Sequence, residues 1–89
     1  FMAIKVGTLY KVKGKILVSE APDDSPWINL KCNMLVLLEK SKYSKSSKDL
    51  ALKLRRYKFI SPSSGRVYYV FKPLTATYYF EKTFFHEVC

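Results

Sequence analysis

One histidine, two cysteines and seven carboxylates are all that this 89-residue chain offers to acid–base, nucleophilic or metal chemistry. A nucleophilic mechanism needs a nucleophile, a base and an orienting acid brought together. His86 lies near the C-terminus, where chain ends are commonly mobile. His86 and Cys89 are spaced to supply half of a zinc site, but Cys32 is the one remaining sulfur, so the ligand set falls short. Asp23-Asp24 is an adjacent acidic pair in a proline-containing loop, without the spaced oxygen ligands of a calcium loop. Gly7, Gly14 and Gly65 stand too far apart to form a phosphate cradle. The expectation is a non-enzymatic protein with no metal and no cofactor.

Stacking and ion pairing are much better supplied. Sixteen Lys or Arg oppose seven Asp or Glu, a net charge of +9, and 16% of residues are aromatic. Eight of the cations fall between residues 40 and 58 with one acid: Lys40, Lys42, Lys45, Lys48, Lys53, Arg55, Arg56 and Lys58. A basic surface attracts polyanions, and rings set among cations stack on nucleobases while the cations track phosphates. Strand alternation over 66–72 puts Val67, Tyr69 and Phe71 on one face and Arg66, Tyr68, Val70 and Lys72 on the other. The first set reads as core, so Tyr68 is expected to face outward between Arg66 and Lys72. Tyr43 sits among the lysines. The expected nucleic-acid contacts are therefore Lys42, Tyr43, Lys45, Lys48, Lys53, Arg55, Arg56, Lys58, Arg66, Tyr68 and Lys72. The competing reading is that each tyrosine packs across its strand with only the hydroxyl in water.

A second class of function is protein–protein interaction or homo-oligomerisation, as in an accessory domain of viral or phage origin. An unclosed strand edge, for instance residues 76–84, can pair with a peptide or a second copy. Phe84 and Phe85 follow with little chain left to cover them and are expected to be an apolar anchor.

These side chains must be positioned by strands. Apolar residues on even positions from Ile4 to Val18, with lysines between, read as a half-buried strand that curls at Gly7 and Gly14. Residues 19–33 read as an irregular loop with Trp27 and Ile28 folded back onto the core. Met34 to about Tyr43 reads as a central strand. The basic segment, about 40–56, is expected to be a charged loop with at most one short helix between about 46 and 55. Ser46 and Asp49 resemble a helix start, and Leu50, Leu54 and Tyr57 have helical spacing. Leu50, Leu52 and Leu54 also alternate with Ala51, Lys53 and Arg55 as in a strand, and a turn of helix leading into a strand from Leu54 fits both. Residues 57–60, 66–71 and 77–82 read as three further strands, with a hairpin turn at 61–65 and a tight link at Lys72-Pro73-Leu74-Thr75.

The expected architecture is all-β, mainly antiparallel, one domain over 1–89 of five or six strands. Its expected core is Val6, Tyr10, Val12, Ile16, Val18, Val36, Leu38, Phe59, Val67, Tyr69, Phe71 and Phe80. The curled first strand, the long Pro-containing loop from Ala21 to Lys31, the charged second loop and the tight Pro62–Gly65 hairpin together resemble SH3-like small barrels. That resemblance covers most of the chain and implies a last strand, Thr77 to Lys82, closing the barrel. An OB-like barrel is the alternative. The acidic specificity loop and paired tyrosines of peptide-binding SH3 domains are not recognisable. Phe1 ahead of Met2 reads as an expression leftover. No signal sequence or apolar run of membrane-spanning length is seen, and the expectation is a cytoplasmic protein with free thiols, no membrane contact, and a nucleic acid, another polyanion or a protein copy as partner.

Overall fold

The computed structural model describes residues 3–23, 27–31, 34–46 and 51–88, with backbone alone at 45, 46, 51 and 52. Among these residues the chain forms one antiparallel sheet of seven strands. The strands are β1 (Leu9–Val12), β2 (Lys15–Ser19), β3 (Trp27–Lys31), β4 (Met34–Ser46), β5 (Ala51–Ile60), β6 (Val67–Pro73) and β7 (Phe85–Glu87). One helix, α1 (Thr77–Phe84), follows a 3-10 turn at Leu74–Ala76. The sheet order is β3-β2-β6-β5-β4-β1-β7.

The all-β expectation stands, with seven strands instead of five or six, and the sheet is a half-barrel. Its curl follows from one bent strand. Gly14 takes a φ of 74°, open to glycine at little cost, and divides β1 from β2. β1 pairs with β4 while β2 pairs with β6 at Ser19↔Tyr69, so the two halves border β4-β5-β6 from opposite sides. The sheet wraps around its inward residues as a result. That interior holds Tyr10, Val12, Ile16, Val18, Leu35, Leu37, Tyr57, Phe59, Tyr68, Val70, Phe80 and Phe85.

Several expectations are corrected. Residues 27–31, expected in a loop, form β3, and Trp27 is 51% exposed where a core lid was expected. Val6 is exposed, and so is Leu38, because inward positions on β4 are the odd ones, Leu35 and Leu37. The expected charged loop over about 40–56 is strand at 40–46 and from Ala51 onward, as the alternation of Leu52 and Leu54 allows. The rest of the expected helix start, residues 47–50, lies outside the described set. The helix lies at 77–84, where the closing strand was expected. β5 pairs along one edge of β6 as far as Pro73, while β2 meets the other edge only at Ser19↔Tyr69. The chain leaving Pro73 crosses the open side of the curl as a helix, burying Phe80 and Glu81, and turns extended at Phe85 to pair with β1. Packing of those two positions overrides the strand preference of Tyr78-Tyr79-Phe80.

Phe84 and Phe85 are likewise not an exposed anchor. Phe85 is 7% exposed and stacks on Phe59 with centroids 5.2 Å apart, and Phe84 packs partly buried against the same cluster. Residues 76–84 are no sheet edge; the edges are β3 and β7.

Candidate functional site

Register and one bulge determine where the basic segment points. β4 and β5 pair without interruption from Glu39↔Lys58 to Ser46↔Ala51, but between Leu37 and Glu39 the ladder shifts by one residue. Leu38 is the extra residue, and after it the alternation changes phase. Lys40 and Lys42 consequently face inward with Tyr57 and Arg55, and Glu39, Ser41 and Tyr43 face outward. β6 continues both rows, opposing Val70 to Tyr57 and Lys72 to Arg55.

The inward side therefore carries a row of three cations directly across three strands, Lys42–Arg55–Lys72. Like charges directly opposite on adjacent strands repel. No carboxylate stands in that row. Lys72 places its Nζ 5.0 Å from the Phe80 ring centroid, a cation–π contact that holds the charge against helix α1. The Arg55 Nε is buried and finds no hydrogen-bond partner among the described residues.

One step nearer the core, Glu81 is 3% exposed and receives three donors. Its Oε1 accepts from the Ile4 backbone N–H and from Lys40 Nζ, each at 2.9 Å, and its Oε2 accepts from the Tyr57 hydroxyl at 2.5 Å. Burial first, and then the hydrogen bond and charge of Glu81, push the Tyr57 hydroxyl well above the ordinary phenol range, while Arg55 pulls the other way. Glu81 thus ties the N-terminal segment, β4, β5 and α1 together. Sequence reasoning gave it no role within the expected closing strand, Thr77 to Lys82. The signal that identifies it is the helical spacing of Phe80, Glu81 and Phe84, with Pro73 just before.

The outward side carries Arg56 between two rings, its Cζ 5.8 Å from the Tyr43 centroid and 5.9 Å from that of Tyr69. Tyr43 meets Phe71 edge-on at 5.1 Å. Arg56 also reaches Glu39 at 3.4 Å, and Lys58 opposes Glu39 in register. Tyr68, expected to be the outward ring, is instead 6% exposed in the core, and Tyr69 takes the outward place. Both faces of β6 are covered, so alternation alone misassigns its phase. Arg66 lies at the opposite end of β6, 3.8 Å from Glu20 in an exposed pair. Lys53 is exposed opposite Ser44, Lys45 is defined in backbone alone, and Lys48 lies outside the described residues.

Of the expected contacts, then, Lys42, Arg55 and Lys72 gather inward, Tyr43, Arg56 and Lys58 share the outward face, and Arg66 and Tyr68 belong to neither group. Among the described residues no group of His, Cys, Asp and Glu could hold a metal ion, with Cys32 and Cys89 outside that set. No described helix is long and apolar enough to cross a membrane. Comparison of this chain with protein families, with curated proteins and with solved structures finds no match.

Proposed function

We propose that this protein is a non-catalytic, SH3-like binding module for single-stranded nucleic acid, with the cations of β4, β5 and the end of β6 as its phosphate-tracking surface. The observation that carries this reading is the Lys42–Arg55–Lys72 row. Three cations in one cross-strand row without a carboxylate opposite repel one another, and a bound polyanion relieves that repulsion while releasing its own counterions. Tyr78, 59% exposed in the first turn of α1, lines a recess with Arg55 and supplies a ring for a base.

The test is a titration of a fluorescently labelled single-stranded oligonucleotide across a salt series, with wild type and Lys42→Ala, Lys72→Ala. Wild-type affinity is expected to fall steeply with salt, and the double variant to lower the slope by about 0.7 for each phosphate it no longer neutralises. Absence of wild-type binding at low salt would reject the reading.

A protein-interaction role has one observation in its favour. β3 is an edge strand on which Trp27, Ile28 and Asn29 are exposed, and Leu17 of β2 is exposed beside them. Salt-insensitive self-association on size-exclusion chromatography, abolished by Trp27→Lys, would favour it.

A further inference from the structure

Between the inward face of the sheet and the first turn of α1 lies a recess lined by Ala3, Lys40, Arg55, Thr77, Tyr78 and Glu81, enclosing about 180 Å³. We propose that it is a subsite for one nucleotide unit of the bound strand, with the phosphate on Arg55 and the adjoining base on Tyr78; this rests on the nucleic-acid reading above.

Four features converge on the recess. The Arg55 Nε is buried without a partner among the described residues, and an arginine fork is matched by two phosphate oxygens. Leaving such a donor unsatisfied is costly, and because the atom is sealed from solvent, a phosphate reaches it only as the Arg55 side chain turns toward the recess, which relieves that cost. Glu81 lines the recess, but its hydrogen bonds among the described residues run to Ile4, Lys40 and Tyr57 and none joins it to Arg55. The neighbouring cations in the row, Lys42 and Lys72, leave the surroundings positive. At the rim, the first turn of α1 brings in Thr77 and Tyr78 and contains no acidic residue to oppose a phosphate. The Tyr78 ring is 59% exposed, with Lys82 Nζ 5.8 Å from its centroid, so a base stacked there lies beside a cation. Phosphate chemistry and a π-face at the same recess are what a nucleotide offers and what a bare polyanion lacks.

The experiment uses the whole chain and three probes: a short single-stranded oligothymidylate, an abasic strand of the same length, and inorganic phosphate. The Arg55 Nε–H resonance is followed by NMR, and affinity by anisotropy. The Nε–H signal is expected to shift with all three probes. Arg55→Lys, which keeps the charge and loses the fork, is expected to weaken the oligothymidylate about fivefold to tenfold with an unchanged salt slope. Tyr78→Leu is expected to weaken it about tenfold, Tyr78→Phe to restore it, and neither to alter abasic binding. Circular dichroism confirms that each variant is folded, and the exposed Tyr78 keeps the test independent of the half-buried arginine. If the oligothymidylate binds with a steep salt slope while the Nε–H signal stays put and both variants are silent, the subsite is overturned and the general reading survives. If the abasic strand loses as much to Tyr78→Leu as the oligothymidylate does, the base assignment is overturned. If no strand binds at low salt, the general reading fails and the nucleotide subsite with it.

Discussion

At the scale of single residues, Glu81 and Tyr57 decide more than any exposed lysine. A carboxylate only 3% exposed costs free energy unless its lone pairs are met, and here the Ile4 N–H, Lys40 and Tyr57 donate to it. Tyr57→Phe removes the short bond to Oε2 and is expected to cost about 1–3 kcal/mol in chemical denaturation. The same bond makes stability fall in alkali. Unfolded tyrosine ionises near pH 10, whereas burial and Glu81 keep the native hydroxyl protonated above that point. The contribution is complete below about pH 10 and is lost as pH rises further, by up to about 1.4 kcal/mol per pH unit. Denaturation curves from about pH 9 to 11 should show a steeper loss for wild type than for Tyr57→Phe; parallel losses would refute the linkage. Tyr68, a stacking ring by strand alternation alone, is a core side chain, and Tyr68→Ala is expected to cost about 3–5 kcal/mol of stability.

Among the elements, the bulge in β4 has the widest consequence. Val36↔Ile60 and Leu37↔Phe59 precede it, Glu39↔Lys58 follows it, and Leu38 is accommodated between them. Without the bulge, an unbroken alternation would send Lys40 and Lys42 outward, away from Glu81 and Arg55. Deleting Leu38 therefore keeps those lysines inward, and the variant is expected to retain native circular dichroism and oligonucleotide binding. Deleting Ser41, three residues on, moves Lys42 outward and is expected to weaken binding. Equal behaviour of the two deletions would show that the phase of β4 is immaterial. The helix works in the same direction, since its first turn walls the recess while Phe80 and Phe85 anchor it to the core.

For the molecule as a whole, the net charge of +9 is unevenly placed. The long axis measures 44 Å, close to the length of a 13-residue strand such as β4 at about 3.3 Å per residue. β6 stops at Pro73 opposite Leu54, and residues 44–46 and 51–53 continue beyond it as a two-stranded ribbon. The cations of β4, β5 and Lys72 thus lie toward one end, and Arg66 stands at the other, beside Glu20. If binding followed net charge alone, removing any cation would matter alike. The arrangement predicts instead that Arg66→Ala leaves oligonucleotide affinity within about twofold and its salt slope unchanged, while Lys72→Ala lowers the slope. Titrations of the two variants at matched salt decide between these outcomes.

Strand-forming residues and turn punctuation were enough to establish a mainly β domain from sequence, because β-branched and aromatic runs bounded by Pro and Gly leave few alternatives. The curl at Gly14 was legible for a local reason, a glycine inside an alternating strand. The basic segment was legible as charge, but not as a site, since period two gives the faces of a strand only up to a phase. Leu38 and the doubly covered β6 reset that phase through their neighbours, which put Leu35, Leu37 and Tyr68 inside and brought Lys40, Lys42 and Arg55 together. Thr77–Phe84 is a helix because that form buries Phe80 and Glu81 together. Those assignments depend on which strands lie side by side, and only tertiary pairing decides that.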